Sequence, residues 1–229
     1  MTISSLSPYQ TSTVLEQAFI HPARNLTKSR GKNIHRYTSV KMKNTISVES
    51  MLEFDACFHF DFNREVVRFC SQPIRFSYEL EGKIHTYVPD FVAQFDCGEF
   101  VLYEVKANEF TSSELFKSEF EGKKTAAHQL LGIDLELIEE KTIRTRPLLG
   151  NLKRIHRYSS RTQLSDNQKR IIEILHKHGS QRVESLMART GLTRQTILPI
   201  ICDLLSRCVL QADLYIPLSK NTELGLAYA

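Results

Sequence analysis

Residues 85–110 read HTYVPDFVAQFDCGEFVLYEVKANEF, and this stretch decides the fold. Two strand-like runs, KIHTYVPDFVAQFD and EFVLYEVKA, flank a turn-prone DCGE. Pro89 favours the start or edge of a strand, so Asp90 stands at the head of a run. Glu104 and Lys106 lie two apart near the end of the next. A strand of period two points both to one face and Val105 to the other. If the two runs pair as a hairpin, Asp90, Glu104 and Lys106 converge at one end of a sheet. Convergent carboxylates repel one another and raise each other's pKa. A hard divalent cation relieves that repulsion. Mg²⁺, with Mn²⁺ as a substitute, suits a few carboxylate oxygens together with water and phosphate oxygens. Lys106 beside such a cation would position or help deprotonate an attacking water, which is the chemistry of phosphodiester hydrolysis. The bland alternative is a Glu104–Lys106 ion pair on an exposed strand face.

Working outward, residues 63–110 have strand character throughout. VVRFCSQPIRFSYEL and the two runs above suggest an antiparallel meander. Upstream, residues 47–62, SVESMLEFDACFHFDF, predict a helix with Val48, Leu52, Cys57 and Phe60 on its apolar face. Glu49 and Glu53 are four apart and hence neighbours on that helix, and either one can approach the same end of the sheet as a further ligand. Downstream, residues 111–131 predict a second helix. IDLELIEEKTI predicts a strand returning to the sheet, and PLLGN a break near residue 150. The expected unit, residues 47–150, is α/β, with a mixed sheet flanked by helices.

Residues 1–46 are polar and basic without a sustained period and predict an extended arm. Its Lys28, Arg30, Lys32, Arg36, Lys41 and Lys43, with Arg24, suit a phosphate backbone, and Tyr37 offers a packing anchor. Residues 151–229 predict three helices, from SDNQKRIIEILHKHG, RVESLMARTG and LTRQTILPIICDLLSRCVL, followed by a strand pair. That order describes a winged helix–turn–helix, with Thr193 as a helix cap and Arg194 available to DNA. Pro199, after the first turn of the third helix, predicts a kink, which favours a protein-contact role over groove reading.

The charge distribution agrees with this division. Residues 1–50 carry 7 Lys/Arg against 2 Asp/Glu, residues 51–150 carry 11 against 18, and residues 151–229 carry 12 against 6. Basic flanks around an acidic centre point to a polyanionic partner met by a centre that holds cations. Five cysteines with no C-x-x-C pair argue for free thiols in a reducing cytoplasm. No apolar run approaches a membrane span, and the N-terminus lacks the form of a secretory signal. His59, His85 and His128 form no metal-ligand constellation.

The motif set Asp90…Glu104-Val105-Lys106 resembles the PD-(D/E)xK nuclease superfamily. A longer colinear pattern narrows the resemblance over roughly residues 34–108: a basic stretch, Glu49-Ser50…Glu53, Asp61-Phe62…Val66, Gln72-Pro73, Tyr87-Val88-Pro89-Asp90-Phe91 and Glu104-Val105-Lys106. It is similar to TnsA, the endonuclease subunit of Tn7-like heteromeric transposases. The resemblance implies that Glu53, Asp90, Glu104 and Lys106 are catalytic, with Asp90, Glu104 and Glu53 as metal ligands. Glu49 stays open as the alternative helical ligand, and Gln72 as a second candidate. It implies cleavage of the 5′, non-transferred strand at double-stranded transposon ends, in the bacterial cytoplasm. A DDE-family transposase of the RNase H-like class and an AAA+ ATPase regulator would be partners. Two other classes compete: a stand-alone restriction or repair nuclease, and a non-enzymatic winged-helix DNA-binding protein.

Overall fold

The computed structural model describes residues 6–23, 33–159 and 163–227. The chain divides into two compact units, one ending at Ile143 and one beginning at Arg144.

The first unit opens with helix α1 (Pro8–Ala18), capped by Ser7 and Gln10 in a reciprocal box. Strands β1 (His35–Thr38) and β2 (Thr45–Val48) form an antiparallel hairpin. These elements correct the expectation of an extended arm. The physical reason is Asp61, a buried carboxylate at the end of the next helix. Its Oδ2 accepts from the Tyr37 hydroxyl at 2.8 Å and the Val40 N–H at 2.9 Å; its Oδ1 accepts from Ser39 Oγ at 2.6 Å and the Lys41 N–H at 2.8 Å. Four donors on one buried anion fix the turn. Tyr37 then packs edge-on against Phe54 and Phe58.

Helix α2 (Met51–Phe62) starts four residues later than expected, because residues 47 and 48 belong to β2. The main sheet follows as β3 (Val66–Ser71), β6 (Phe91–Phe95), β7 (Phe100–Lys106) and β8 (Asp134–Glu139), in that spatial order. The first two pairings are antiparallel and β7–β8 is parallel, so the sheet is mixed, as anticipated. A second hairpin, β4 (Phe76–Leu80) with β5 (Lys83–Tyr87), forms a separate ladder. The simple meander is therefore corrected. Each of the two long runs is broken by a proline, Pro73 and Pro89, which cannot donate to a ladder. Gln72, at a positive φ of 51°, turns the chain at the first break.

Between β7 and β8 lie the short helix α3 (Asn108–Thr111) and α4 (Glu114–Leu131). Ser113 caps α4, and Gly132 ends it in the left-handed conformation, where glycine is at no disadvantage. The unit closes with α5 (Glu140–Ile143). Period two in the sheet separates two cores. Phe69, Phe91 and Tyr103 meet Phe60 of α2 on one face. Val92, Leu102 and Leu135 meet Ala126, Ala127 and Leu131 of α4, together with Leu15 of α1 and Tyr87, on the other. Gly122 brings α4 close to the second hairpin: a Cβ there would lie 3.2 Å from the Tyr78 ring.

The second unit contains α6 (Leu148–Tyr158), α7 (Asp166–His178), β9 (Gln181–Arg182), α8 (Val183–Thr190), α9 (Arg194–Ser206), β10 (Leu210–Gln211) and β11 (Glu223–Leu226). The three expected helices are α7, α8 and α9. The expected strand pair is β10–β11, extended by β9 on the other edge of β11. The break anticipated near residue 150 is instead the first turn of α6. Its Asn151 is buried and holds the 214–218 segment, donating to the Leu214 and Ile216 carbonyls and accepting from the Leu218 N–H. Thr193 occupies the cap position of α9, but its hydroxyl lies 3.1 Å from Thr196 Oγ1 and makes no side-chain cap bond. α9 runs through Pro199 to Ser206. Among the described residues no helix is long and apolar enough to cross a membrane.

Replacing Asp61 by Ala strands two buried hydroxyls and two backbone N–H groups. The expected loss is about 3 kcal/mol in urea unfolding. Hydrogen exchange at Val40 and Lys41 should accelerate well beyond that of β6 and β7; equal acceleration everywhere would contradict the local role given to Asp61.

Candidate active site

The antiparallel register of β6 and β7 pairs Phe91 with Tyr103. Asp90, one residue ahead of β6, therefore reaches the end of β7. Its Oδ2 accepts from the Val105 N–H at 2.8 Å. Asp90, Glu104 and Lys106 share the parity of Val92 and Leu102 and face the side covered by α4. The convergence expected from the sequence is thus present.

Its electrostatics are those of crowded acids. Enclosure by protein pushes the Asp90 carboxyl well above its ordinary range, and the charges of Glu104 and then Glu53 push it further up; the Val105 N–H and Lys106 oppose them. Glu104 is 7% exposed. Its Oε2 accepts from the Tyr87 hydroxyl at 2.5 Å. Burial, first, and the Glu104 charge, next, raise the Tyr87 phenol well above its usual value, so Tyr87 is a protonated donor. Glu104 Oε1 lies 3.9 Å from Lys106 Nζ and 3.7 Å from Lys123 Nζ.

The glutamates of α2 separate in role. Glu53 is buried, and its charge acts on Asp90. Its oxygens also serve the helix start: Oε1 accepts from Ser50 Oγ at 2.7 Å and Oε2 from the Glu49 N–H at 3.0 Å, while Ser50 Oγ accepts the Glu53 N–H. Ser50 is the cap. Glu49 precedes the helix and is not its neighbour on a helical face. Glu53 thus both serves the start of α2 and adds its charge beside Asp90. Among the described residues no three His, Cys, Asp or Glu side chains form a group that could hold a metal ion by themselves. Glu53, Asp90 and Glu104 remain the acids drawn together at this end of the sheet, with the Glu53 oxygens also engaged at the helix start. Gln72 is buried, and its backbone N–H donates to the Asp90 carbonyl at 2.9 Å, a structural role beside the site.

The cations read from the N-terminal segment scatter. Lys28, Arg30 and Lys32 lie outside the described residues. Arg36 is exposed on β1, and Lys43 is exposed in the following turn at φ 55°. Lys41 is half-buried beside α2. Its ammonium donates to the carbonyls of Phe60 at 2.9 Å, Asn63 at 2.6 Å and Val66, where it serves the C-terminal end of α2. Arg194 is exposed at the first turn of α9 in the second unit. A cavity of about 500 Å³, lined by Thr11, Phe100, His128 and Asp134 among others, sits at the opposite end of β7 and contains none of these carboxylates.

Residues 63–142 match the family model of the TnsA-like endonuclease N-terminal domain. That segment is similar to the nuclease domain of TnsA-type endonucleases. That TnsA-like segment includes Tyr87, Asp90, Glu104, Lys106 and Lys123; Glu49 and Glu53 precede it. No curated protein matches the chain. Within the TnsA-like segment, Tyr87 and Lys123 are contacts of Glu104 to which motif and spacing give no role. Lys123 had a signal: it falls on the stripe Phe116, Phe120, Ala127, Leu131 of α4, a charge at a core position.

Asp90→Asn keeps an acceptor for the Val105 N–H and removes a charge repelled by two carboxylates. The first unit should melt higher, by about 2–5 °C. A lower midpoint in calorimetry would contradict the repulsion described here.

Proposed function

We propose that this chain is the DNA-cleaving subunit of a Tn7-like transposition system, a Mg²⁺-dependent endonuclease in which Mn²⁺ substitutes for Mg²⁺. The observation that carries the reading is the cluster of Asp90, Glu104 and Lys106 at one end of the sheet, inside the TnsA-like domain. Two mutually repelling carboxylates with hard oxygen donors fit a cation that takes one or two carboxylates and completes its shell with water and substrate phosphate. Asp90 and Glu104 would hold it, with Glu53 adding negative charge beside them. When bound, the ion lowers the pKa of water and stabilises charge on the scissile phosphate. Asp90 is held in place through the Val105 N–H, and Glu104 through Tyr87. Lys106, about one-third exposed, lies where it can orient the attacking water and meet a phosphate oxygen.

The proposed reaction is hydrolysis of the 5′, non-transferred strand at a transposon end, with a DDE-family transposase cutting and joining the other strand and an AAA+ ATPase regulating both. Arg36 and Lys43 are the described arm cations that would meet the DNA backbone. The second unit is proposed as a winged helix. α7, α8 and α9, the Gly191 turn between the last two, and the β9–β11–β10 sheet support this. Its role would be to contact the regulator and DNA, with Arg194 at the start of α9 facing the latter. The setting would be the bacterial cytoplasm.

The test is cleavage of a strand-labelled transposon-end duplex in Mg²⁺, with and without the partner transposase, by this chain and by Asp90→Ala. The expected result is a 5′-strand nick that needs the partner and falls at least about 10³-fold in the variant. Partner-independent cutting abolished by Asp90→Ala would favour a stand-alone nuclease. Cutting that survives Asp90→Ala would remove this site from the mechanism, and defined duplex binding without any cleavage would favour a DNA-binding module.

A further inference from the structure

Lys123 sits in the middle of α4 and is 8% exposed. Lysine is almost never this enclosed unless its charge is matched. Its ammonium is 3.7 Å from Glu104 Oε1 and 4.5 Å from the centre of the Tyr87 ring. Tyr87 in turn donates its hydroxyl to Glu104 Oε2. Two enclosed groups, one at the end of β5 and one on α4, thus take the two oxygens of one carboxylate.

Lys106 approaches the same Oε1 at 3.9 Å, but its side chain is 36% exposed against 11% for Lys123. Its ammonium also stands 5.8 Å and 5.6 Å from the Phe110 and Phe116 rings. The two lysines therefore differ in freedom. Lys106 opens towards solvent and the DNA it would meet; Lys123 is locked between helix and sheet. Without Lys123, Glu104 Oε1 would keep the half-open Lys106 ammonium at 3.9 Å.

We propose that Lys123 is a positioning residue of the active site: with Tyr87 it fixes the orientation of the Glu104 carboxylate, leaving Lys106 free to serve water and phosphate. This rests on the nuclease reading above. Lys123 touches Glu104 and acts through it, so its removal should change how Glu104 is presented rather than how DNA is bound.

The experiment uses the full chain with Lys123→Met, which keeps length and removes charge, Lys123→Arg, which keeps charge, and Tyr87→Phe, which removes the other half of the clamp. The first readout is metal-free: crystal structures in which the Glu104 rotamer is resolved. In Lys123→Met the carboxylate should leave the Tyr87 hydroxyl and turn towards Lys106; an unmoved Glu104 would overturn the proposal. The second is Mn²⁺ affinity by calorimetry. Loss of positioning should weaken binding about 10- to 100-fold in Lys123→Met and in Tyr87→Phe, with a smaller loss in Lys123→Arg. A mere counter-charge predicts the opposite sign, since removing it leaves the site more negative and tightens Mn²⁺. A purely structural lysine predicts a lower melting temperature with unchanged affinity. Either result would overturn the proposal. Should Lys123→Met fail to fold, Lys123→Arg and Tyr87→Phe carry both readouts. A wild-type chain that takes up no Mn²⁺ would sink the nuclease reading itself, while the metal-free Glu104 rotamer still judges the role of Lys123.

Discussion

A carboxylate held where its neighbours repel it is the constraint on which this domain turns. Asp90 stays beside Glu104 because β6 and β7 are locked in register through their cores and because the Val105 N–H receives its Oδ2. A slip of one residue would turn Asp90 and Glu104 to opposite faces and exchange the apolar sets that pack on α2 and α4. The two cores are therefore what keeps the acids together. Stability generated by Phe60, Phe69, Phe91 and Tyr103 on one face, and by Leu102, Leu135 and Ala127 on the other, offsets the electrostatic cost at one end of the sheet. Clustered like charges at such an end are the mark of a site kept for chemistry at the expense of stability.

The two strand-breaking prolines shape that end. At Gln72-Pro73 and Pro89 the chain leaves the main sheet and returns, and the excursion is the β4–β5 hairpin. Its last residue, Tyr87, comes to rest on Glu104. At the departure point Gln72 adopts a positive φ and its N–H takes the Asp90 carbonyl, so the turn that frees the hairpin also holds the backbone of the acid. One local feature, a missing ladder donor, thus has consequences for packing and for site geometry. On the other side, Asp61 gathers residues 37–41 against α2, and the Lys41 ammonium closes the end of that helix.

Period two around residue 100 made β6, β7 and the convergence of Asp90, Glu104 and Lys106 legible in the sequence, because alternation is a local property. The mixed sheet followed from IDLELIEEKTI in the same way. What was not legible depends on contacts distant in the chain. Nothing near residue 40 announces that Asp61 will organise it into a turn, so a segment without hydrophobic period looked like an arm. Nor does sequence show that the Lys41 ammonium is held by the carbonyls at a helix end. The local bonds of Glu53 were hidden for a comparable reason: its oxygens sit on Ser50 and the Glu49 N–H at the helix start. Lys123 could have been noticed as a charge on an apolar helical stripe, but its partner lies on a strand 19 residues earlier in the chain.

The central proposal is that Asp90 and Glu104 together hold one divalent cation beside Lys106. The most direct measurement is anomalous diffraction from crystals of the chain equilibrated with Mn²⁺. A peak is expected within about 2.0–2.4 Å of oxygens from both carboxylates, lost in Asp90→Asn. Mn²⁺ seated elsewhere, or a peak that persists unchanged in Asp90→Asn, would contradict it.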